Sequence, residues 1–352
     1  MNEIKLGVIG LGGIAQKHLE AFKKMKGVHI SALCTKSQSN LALQSEKWGV
    51  PGGYTDYREM LSSADMDAVV VCTPPYLHKP ISIAALDAGK HVLCEKPPAI
   101  NASEALEMQQ AADRNRRLLM YGFMFRFSQK HRIAKELCLG GELGKLYFMR
   151  SETMRRCSAP GGWFQQKSFS GGGPVMDFGI HSLDLAIYLM GEVSPVRVYS
   201  KVFKNIENMK EVKDWTGNAF GKEVNEISDV EEMSVALISF DNGVDLLFSV
   251  SNNAHIKQDY KTIEILGTKG GLIVDPQLEI HTVANRRLFD GKPVVNCDKF
   301  DYQGTIDSQA EHFISCIRDG TSCISTSENG VKAMKTVAAI YQSAQSGEVV
   351  LL

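Results

Sequence analysis

The chain has 352 residues, including 31 glycines and 11 prolines, and 44% of its residues are apolar. These values are typical of a globular protein with about two domains, and they exclude disordered and collagen-like chains. The 39 basic and 40 acidic residues give a formal net charge of −1, which argues against a nucleic acid or a membrane surface held by bulk charge.

Targeting and thiol patterns favour a cytoplasmic protein. The longest apolar run, Leu118 to Phe125, is far shorter than the roughly 20 residues of a membrane-spanning helix, and the first residues lack a signal-peptide pattern. The eight cysteines form no Cys-x-x-Cys pair, so we expect inert free thiols and no metal site.

Strand and helix patterns alternate over residues 1–125. Apolar strands are predicted at Ile4–Ile9, Val28–Cys34, Ala68–Cys72, His91–Cys94 and Leu118–Gly122. Helical spacing is found at Gly13–Lys26, Leu41–Trp48, His78–Ala88 and Ser103–Asn115. Strands that are apolar on both faces and separated by helices indicate a parallel sheet covered on both sides. We therefore predict an α/β dinucleotide-binding domain, a doubly wound Rossmann fold, over residues 1–125.

Residues 126–352 follow a different pattern. After a helix at Gln129–Leu139, alternating segments such as Met233–Phe240 and Val244–Ser251 are joined by turn residues in a hairpin pattern. The prediction is an α+β domain for substrate binding and oligomerisation, with a large, mostly antiparallel sheet whose open face meets solvent or a partner. The polar stretch Asn205–Ser228 is expected to leave this sheet as a long substrate or oligomer loop.

A glycine-rich turn links the first strand to the first helix, and its sequence is Gly10-Leu11-Gly12-Gly13-Ile14-Ala15. In this context Gly10 permits the tight turn, Gly12 lets the backbone approach a pyrophosphate, and Ala15 lets the helix pack on the strand. The helix N-terminus then faces the anion. A glycine turn that serves packing alone is the alternative.

The end of the second strand bears on the choice of cofactor. Thr35, Lys36 and Ser37 stand where an enzyme that prefers NAD usually carries an acidic residue for the ribose hydroxyl. Hydroxyls and an ammonium group suit a 2′-phosphate better, so NADP is favoured over NAD. The alternative is a solvated Lys36 in an enzyme that uses either cofactor.

Two further strand ends should lie at the ligand-binding edge of the sheet. His91–Cys94 is followed by Glu95-Lys96-Pro97-Pro98, whose prolines restrict the backbone around the lysine. A lysine held there is suited to proton exchange with a substrate, whereas a surface lysine paired with Glu95 is the alternative. The earlier strand is followed by residues expected to line the same crevice, namely Thr73, Pro74 and His78.

A third group of candidates opens a helix predicted to run through Leu189. At 100° per residue, Asp177, His181 and Asp184 lie within about 60° of one another. An imidazole between carboxylates suits proton transfer near neutral pH, and a metal site and a structural histidine are the alternatives. Gly179 inside this helix suggests that a cofactor or substrate packs against the backbone.

Taken together, these motifs resemble the Gfo/Idh/MocA family of NAD(P)-dependent oxidoreductases over nearly the whole chain. The matching stretches are Gly10-x-Gly12-x-x-Ala15, Thr73-Pro74, Glu95-Lys96-Pro97, Phe125-Arg126-Phe127, Gly171-Gly172-Gly173, Asp177-x-Gly179-x-His181 and Gly267-Thr268-Lys269-Gly270. The chain departs from the family pattern at Pro75, Pro98 and Phe164.

The resemblance implies a nicotinamide enzyme that acts on a secondary alcohol or ketone of a sugar, sugar derivative or cyclitol. It implies a catalytic set of Lys96, Asp177 and His181, cofactor contacts from Arg126 and Trp163, and a homodimer or homotetramer formed through the second-domain sheet. An NAD-retaining glycosidase and a non-catalytic nucleotide sensor of the same fold are the alternative functions.

Overall fold

The computed structural model describes residues 3–206, 228–293 and 300–352, so the predicted loop at Asn205–Ser228 lies almost wholly outside the described residues. The chain divides into two compact units. One comprises Met1–Phe127 with Asp301–Val331, and the other comprises Ser128–Phe300 with Lys332–Leu352. No helix among the described residues is long and apolar enough to cross a bilayer.

In chain order, the helices are α1 Gly13–Lys23, α2 Gln38–Trp48, α3 Tyr57–Ser63, α4 His78–Asp87, α5 Ala102–Asn115, α6 Gln129–Leu139, α7 Lys167–Ser170, α8 Ile180–Met190, α9 Tyr302–Asp319 and α10 Ser327–Ser346. The strands of the first unit are β1 Ile4–Ile9, β2 Val28–Cys34, β3 Gly52–Tyr54, β4 Ala68–Val71, β5 His91–Cys94 and β6 Leu119–Tyr121. Those of the second are β7 Leu146–Met154, β8 Pro195–Phe203, β9 Met233–Phe240, β10 Asp245–Ser251, β11 Tyr260–Gly267, β12 Gly270–Asp275, β13 Glu279–Ala284, β14 Arg287–Gly291 and β15 Val350–Leu351.

The first sheet is parallel, with the order β3-β2-β1-β4-β5-β6. This is the strand order of a dinucleotide-binding doubly wound fold, and it confirms the predicted fold class. All four residues of β4 are fully buried, because helices cover the apolar strands on both faces. The structure adds β3 and α3, which the sequence pattern did not predict.

The first unit also contains α9, whereas the sequence-based boundary assigned everything after residue 125 to the second domain. The helix places an apolar stripe in the core that surrounds α1, made up of Ile306, Ala310, Phe313 and Ile314. A spacing of three or four residues puts this stripe on one helical face. The Rossmann unit is therefore completed by a segment that returns about 170 residues later in the chain.

The second sheet has nine strands in the order β14-β13-β12-β11-β7-β10-β9-β8-β15. The β7–β10 pair is parallel and the others are antiparallel, which confirms the predicted mostly antiparallel sheet. Leu246, Phe248 and Val250 of β10 are fully buried on one face. The predicted hairpin is present, since β9 and β10 pair directly across the turn at Gly243, which has a φ of 83°.

The opposite face of this sheet carries exposed apolar side chains. Leu237 of β9 is 46% exposed and pairs with Tyr199 of β8, which is 42% exposed. Further along the sheet, Arg150 and Glu264 form an ion pair at 2.6 Å. We call this the open face and define it by Tyr199, Leu237 and Arg150. It carries both exposed apolar side chains and charged side chains that form ion pairs.

Candidate active site

The glycine turn after β1 has the geometry that an anion-binding loop needs. Gly10 has a φ of 88°, and a Cβ there would lie 2.7 Å from the carbonyl carbon and oxygen of Cys72. A Cβ on Gly12 or Gly13 would meet nothing within 4 Å. Gly12 is the N-cap of α1 and offers no side-chain cap, and the first turn has no acidic residue, so the helix N-terminus suits a phosphate. Ile14 is half-buried and Ala15 is fully buried, as the packing role predicted for Ala15 requires.

The end of β2 presents the three polar residues singled out for cofactor choice. Lys36 and Ser37 are exposed, and Thr35 is half-buried with its N–H donating to the Tyr54 carbonyl at 3.1 Å. The Ser37 hydroxyl accepts from the N–H of Asn40 at 3.2 Å and so caps α2. Ser37 therefore has a structural role, and Lys36 supplies the exposed positive charge.

The strand end after β4 offers an unused polar group. The Thr73 hydroxyl is buried and makes no hydrogen bond to any residue within the described ranges. Its neighbour Pro74 is half-buried and precedes a short 3₁₀ turn, Pro75–Leu77. Buried polar groups are rarely left unsatisfied, so this hydroxyl is a good contact for a ligand. Together with the open glycine turn, it shows that the first unit fits a dinucleotide.

His78 links the segments that follow β4 and β5. The side chain is fully buried, and its Nε2 and Nδ1 lie 2.8 Å and 2.7 Å from the carbonyl oxygens of Thr73 and Pro97. Burial lowers the pKa of His78, although both carbonyls favour the protonated ring. Since both nitrogens face backbone, we assign His78 a positioning role rather than the cofactor contact predicted from sequence.

A buried carboxylate precedes the candidate lysine. Glu95 is 7% exposed, and its Oε1 lies 2.7 Å from Nε2 of the fully buried His18 on α1. Its Oε2 accepts the N–H of Lys96 at 3.3 Å. A Cβ on Gly122 would lie 2.9 Å from Oε1, so a glycine is needed there for the carboxylate to fit. Lys96 is half-buried and Pro97 is buried, which places the ammonium-bearing chain on a fixed backbone.

His18 is a residue that the sequence analysis missed. It lies three positions after Ala15 on the buried face of α1 and stacks on Phe22 with ring centroids 6.3 Å apart. A polar residue on an otherwise apolar helical face is the signal that could have revealed it, because a buried imidazole needs a polar partner.

The described contacts of Arg126 are structural. The side chain is 4% exposed, and its Nη1 donates to the Ile324 carbonyl at 2.7 Å and to Asn329 Oδ1 at 3.1 Å. These bonds tie the end of the Rossmann segment to the turn before α10 and to the first turn of that helix. A cofactor that contacts Arg126, as predicted, would compete with Ile324 and Asn329 for the guanidinium.

In the second unit, Asp177 lies on a π-helical turn, Val175–Gly179, directly before α8. The sequence-based angle between Asp177 and His181 assumed a continuous α-helix and does not apply across this wider turn. Both side chains are half-buried, whereas Asp184 is 1% exposed. The Ser182 hydroxyl lies 2.9 Å from that of Thr153 and fixes the first turn of α8 against β7.

Gly179 makes room for the sheet. A Cβ there would lie 2.7 Å from the Pro174 carbonyl oxygen, 3.2 Å from Phe248 and 3.3 Å from Val250. The expectation that a ligand packs at this glycine is therefore corrected. The close approach serves the contact between the π-helical turn and β10.

A second buried carboxylate holds the start of this helical segment. Glu231 is 3% exposed and accepts the N–H groups of Gly173 and Val175 at 3.0 Å and 3.1 Å, as well as the Tyr341 hydroxyl at 2.9 Å. Burial raises the pKa of Glu231, although these donors favour the charged form. The sequence analysis missed Glu231, because nothing in the chain order links it to the glycine run 60 residues earlier.

Three side chains of the segment between β7 and α7 make aromatic or cation–π contacts. The Trp163 and Phe164 rings stack at 3.7 Å, and the Arg155 guanidinium lies 4.0 Å from the centre of the Phe178 ring, next to Asp177. Arg155 is thus an additional candidate for binding a polar substrate.

Family models and known relatives show which family the chain resembles along its whole length. Residues 4–123 match the NAD-binding Rossmann-fold model of the Gfo/Idh/MocA oxidoreductases, and residues 135–352 match the C-terminal α/β-domain model of the same family. The chain is 31% identical to D-glucoside 3-dehydrogenase of Escherichia coli (strain K12) over 98% of its own length and 96% of that protein.

Two further relatives show how widely the similarity extends. Myo-inositol 2-dehydrogenase of Thermotoga maritima is 26% identical, with 94% of this chain and 93% of that protein covered. The crystal structure of aldose-aldose oxidoreductase from Caulobacter crescentus, complexed with glycerol, superposes with a TM-score of 0.83 at 25% identity and covers all of both chains.

The six-stranded parallel sheet and the open glycine turn are those of an NAD-binding Rossmann domain, and the matching family is one of oxidoreductases. The chain belongs to the Gfo/Idh/MocA family, since the two family models together account for nearly all of its residues.

Proposed function

We propose that the enzyme transfers a hydride between a nicotinamide cofactor and a secondary alcohol or ketone of a sugar, sugar derivative or cyclitol, with D-glucosides as the first candidates. The observation that carries this proposal is the 31% identity to a D-glucoside 3-dehydrogenase over almost the whole length of both chains. The presence of Lys96, Asp177 and His181 at the family's motif positions supports a catalytic rather than a sensory role.

In this proposal each unit supplies part of the chemistry. The first unit binds the dinucleotide through the Gly10–Gly13 turn, and the bound nicotinamide accepts or supplies the hydride. His181 takes the proton of the substrate hydroxyl, and Lys96 donates a hydrogen bond to the same oxygen. Asp177 orients His181. In the reverse direction His181 returns the proton to the carbonyl oxygen.

The test is a panel of glucosides, free aldoses and cyclitols, each assayed with NAD and with NADP, with Lys96→Ala as the blank. Reduced cofactor that accumulates with a glucoside and is absent with the variant supports the proposal. Release of an aglycone without net cofactor reduction would indicate an NAD-retaining glycosidase instead. No turnover on any polyol by a folded, dinucleotide-binding protein would contradict the proposal.

We further propose a preference for NADP over NAD. The exposed Lys36 and the half-buried Thr35 at the end of β2 support it, because both can bond a 2′-phosphate. Lys36→Glu is expected to lower kcat/KM with NADP by about tenfold or more and to leave kcat/KM with NAD within about threefold. Equal losses with both cofactors would contradict the preference.

We also propose that the open face forms a homodimer or homotetramer interface. Exposed neighbours such as Tyr199 and Leu237 support this, since a patch of large apolar side chains on a sheet is typical of an interface. Leu237→Glu should reduce the mass measured by light scattering to that of one chain. An unchanged mass would place any interface elsewhere.

We also propose that the protein is cytoplasmic. The described cysteines, Cys34, Cys72, Cys94, Cys138, Cys157, Cys316 and Cys323, are free thiols, as in a reducing compartment. Cell fractionation with an antibody to the full chain tests it, and recovery in the periplasmic or secreted fraction would contradict it.

A further inference from the structure

Three soft donor groups converge at the end of α9. His312 and Cys316 are four residues apart and therefore lie on the same helical face. The helix ends at Gly320, whose φ of 69° turns the chain back, and Cys323 joins the other two. The donor atoms of these three residues all lie within 4.8 Å of one another, and each residue is half-buried, so an ion from solvent can reach them.

The spacing of these atoms matches that of ligands around one metal ion. Cys316 Sγ lies 3.4 Å from His312 Nε2. A tetrahedral zinc ion with bonds of about 2.3 Å to sulfur and about 2.0 Å to nitrogen separates two such ligands by about 3.5 Å. Little rearrangement of this pair is therefore needed to place an ion between them.

The protonation pattern of the cluster also suits a metal. His312 Nε2 accepts the N–H of Ile324 at 3.1 Å, so this nitrogen is unprotonated and carries a lone pair. A metal ion would bind this lone pair in place of the Ile324 N–H. The Ser325 N–H donates to Cys323 Sγ at 3.4 Å, a bond that stabilises a thiolate.

We propose that His312, Cys316 and Cys323 form a binding site for a soft divalent cation such as Zn²⁺, with a fourth position left to water. Two thiolates and an imidazole favour zinc over magnesium or calcium, which prefer oxygen ligands. The thiol protons are released to solvent as the ion binds. The sequence analysis expected inert cysteines because it sought Cys-x-x-Cys pairs and did not consider a His-x-x-x-Cys spacing on a helix.

The site would stabilise the turn that completes the first unit. Ile324 and Ser325 lie between Cys323 and α10, and both form hydrogen bonds within the first unit. The Ile324 carbonyl accepts from Arg126, and the Ser325 hydroxyl donates to the Tyr121 carbonyl at 2.8 Å. An ion that joins Cys323 to α9 therefore fixes the segment that holds Arg126 and β6.

The first experiment is a titration of the reduced, chelator-stripped full-length protein with Cd²⁺, followed by its sulfur-to-metal charge-transfer absorbance. One equivalent is expected to bind. Cys316→Ser and Cys323→Ser should each weaken binding by more than about 100-fold, because loss of outer ligands alone costs 10–100-fold. Cys157→Ser, a half-buried thiol outside the cluster, is the matched control and should leave binding unchanged.

A second measurement starts from the native protein. Zn²⁺ should protect Cys316 and Cys323 of the native protein from alkylation, as located by peptide mass, and should leave Cys157 reactive. Zn²⁺ should also raise the Tm of the native protein but not that of Cys316→Ser. Alkylation of both cluster thiols at the same rate with and without Zn²⁺, or equal Cd²⁺ binding by the native protein and the Cys316→Ser/Cys323→Ser variant, would overturn the proposal.

Discussion

The end of β5 and the segment that leads into α8 each rely on a buried carboxylate, but the two carboxylates have different partners. Beside Lys96, Glu95 accepts one backbone N–H and has one side-chain hydrogen-bond partner within the described residues, the His18 ring at 2.7 Å. Ahead of His181, Glu231 accepts from two backbone N–H groups and from the Tyr341 hydroxyl. Because its bonds are distributed over several donors, Glu231 should tolerate the loss of one side chain better than Glu95 does.

The largest expected effect tests whether the two regions serve one reaction. Lys96→Met and His181→Asn should each lower kcat by about 10²–10⁴-fold, since each removes a group that handles the substrate proton or its oxygen. The double variant should lose no more than the worse single variant, because groups that act on one oxygen are not additive. Steady-state kinetics with the best substrate of the panel measures this.

Dinucleotide binding is the control for these variants. Neither substitution touches the Gly10–Gly13 turn, so the Kd for the reduced cofactor should stay within about threefold of the native value. Losses that multiply in the double variant would show that Lys96 and His181 act in separate steps.

The fold was largely predictable from the sequence because its signals are local. Apolar strands and the glycine turn produced β1, β2, β4, β5 and β6 with bounds close to those observed. The missing β3 has only three residues, two of them glycines, so it carries no hydrophobic pattern. The place of α9 in the first unit depends on packing against a distant segment, which chain order does not reveal.

The residues that support the proposed site were less predictable than the catalytic residues proposed for it. Lys96, Asp177 and His181 stand in motifs, whereas His18 and Glu231 are isolated polar residues whose partners are far away in the chain. The π-helical turn at Val175–Gly179 also lacks a distinct periodicity in the sequence. Buried polar pairs are tertiary features, and only the structure shows which residues meet.

His18→Phe should produce the largest loss of stability among the supporting residues. The variant keeps the ring stack on Phe22 but leaves the Glu95 carboxylate buried without its imidazole, at a cost of about 3–5 kcal/mol. Urea denaturation measures the loss. His18→Phe/Glu95→Gln should recover at least half of it, because the unpaired charge is gone, and His29→Phe at an exposed position is the control.

Glu231→Ala should cost less, about 2–3 kcal/mol, although it removes an acceptor from three donors. These donors are neutral groups, so the variant leaves no unpaired charge buried, whereas His18→Phe does. Thermal and urea unfolding measure the change, and Glu231→Gln, which keeps an acceptor oxygen, should lose about half as much. A cost above that of His18→Phe would contradict the difference drawn between the two carboxylates.

The pH dependence of stability should differ between the native protein and Glu231→Gln. Burial raises the pKa of Glu231 above its ordinary value of 4.5, so the folded state holds this proton more tightly than the unfolded state does. Its contribution to stability is therefore complete below pH 4.5 and is lost as the pH rises through the raised pKa. Unfolding free energies measured from pH 4.5 upwards should fall less steeply for Glu231→Gln, and parallel curves would contradict the assignment.

The smallest effect is expected for Tyr341→Phe. The hydroxyl is one of three donors to Glu231, and its removal leaves the two backbone bonds in place. One lost hydrogen bond to a charged group costs about 1–2 kcal/mol, so Tm should fall by a few degrees and kcat should stay within about twofold. A loss of kcat as large as that of His181→Asn would mean that the Tyr341 hydroxyl alone positions the segment ahead of α8. Glu231 would then depend on a single side chain, as Glu95 depends on His18.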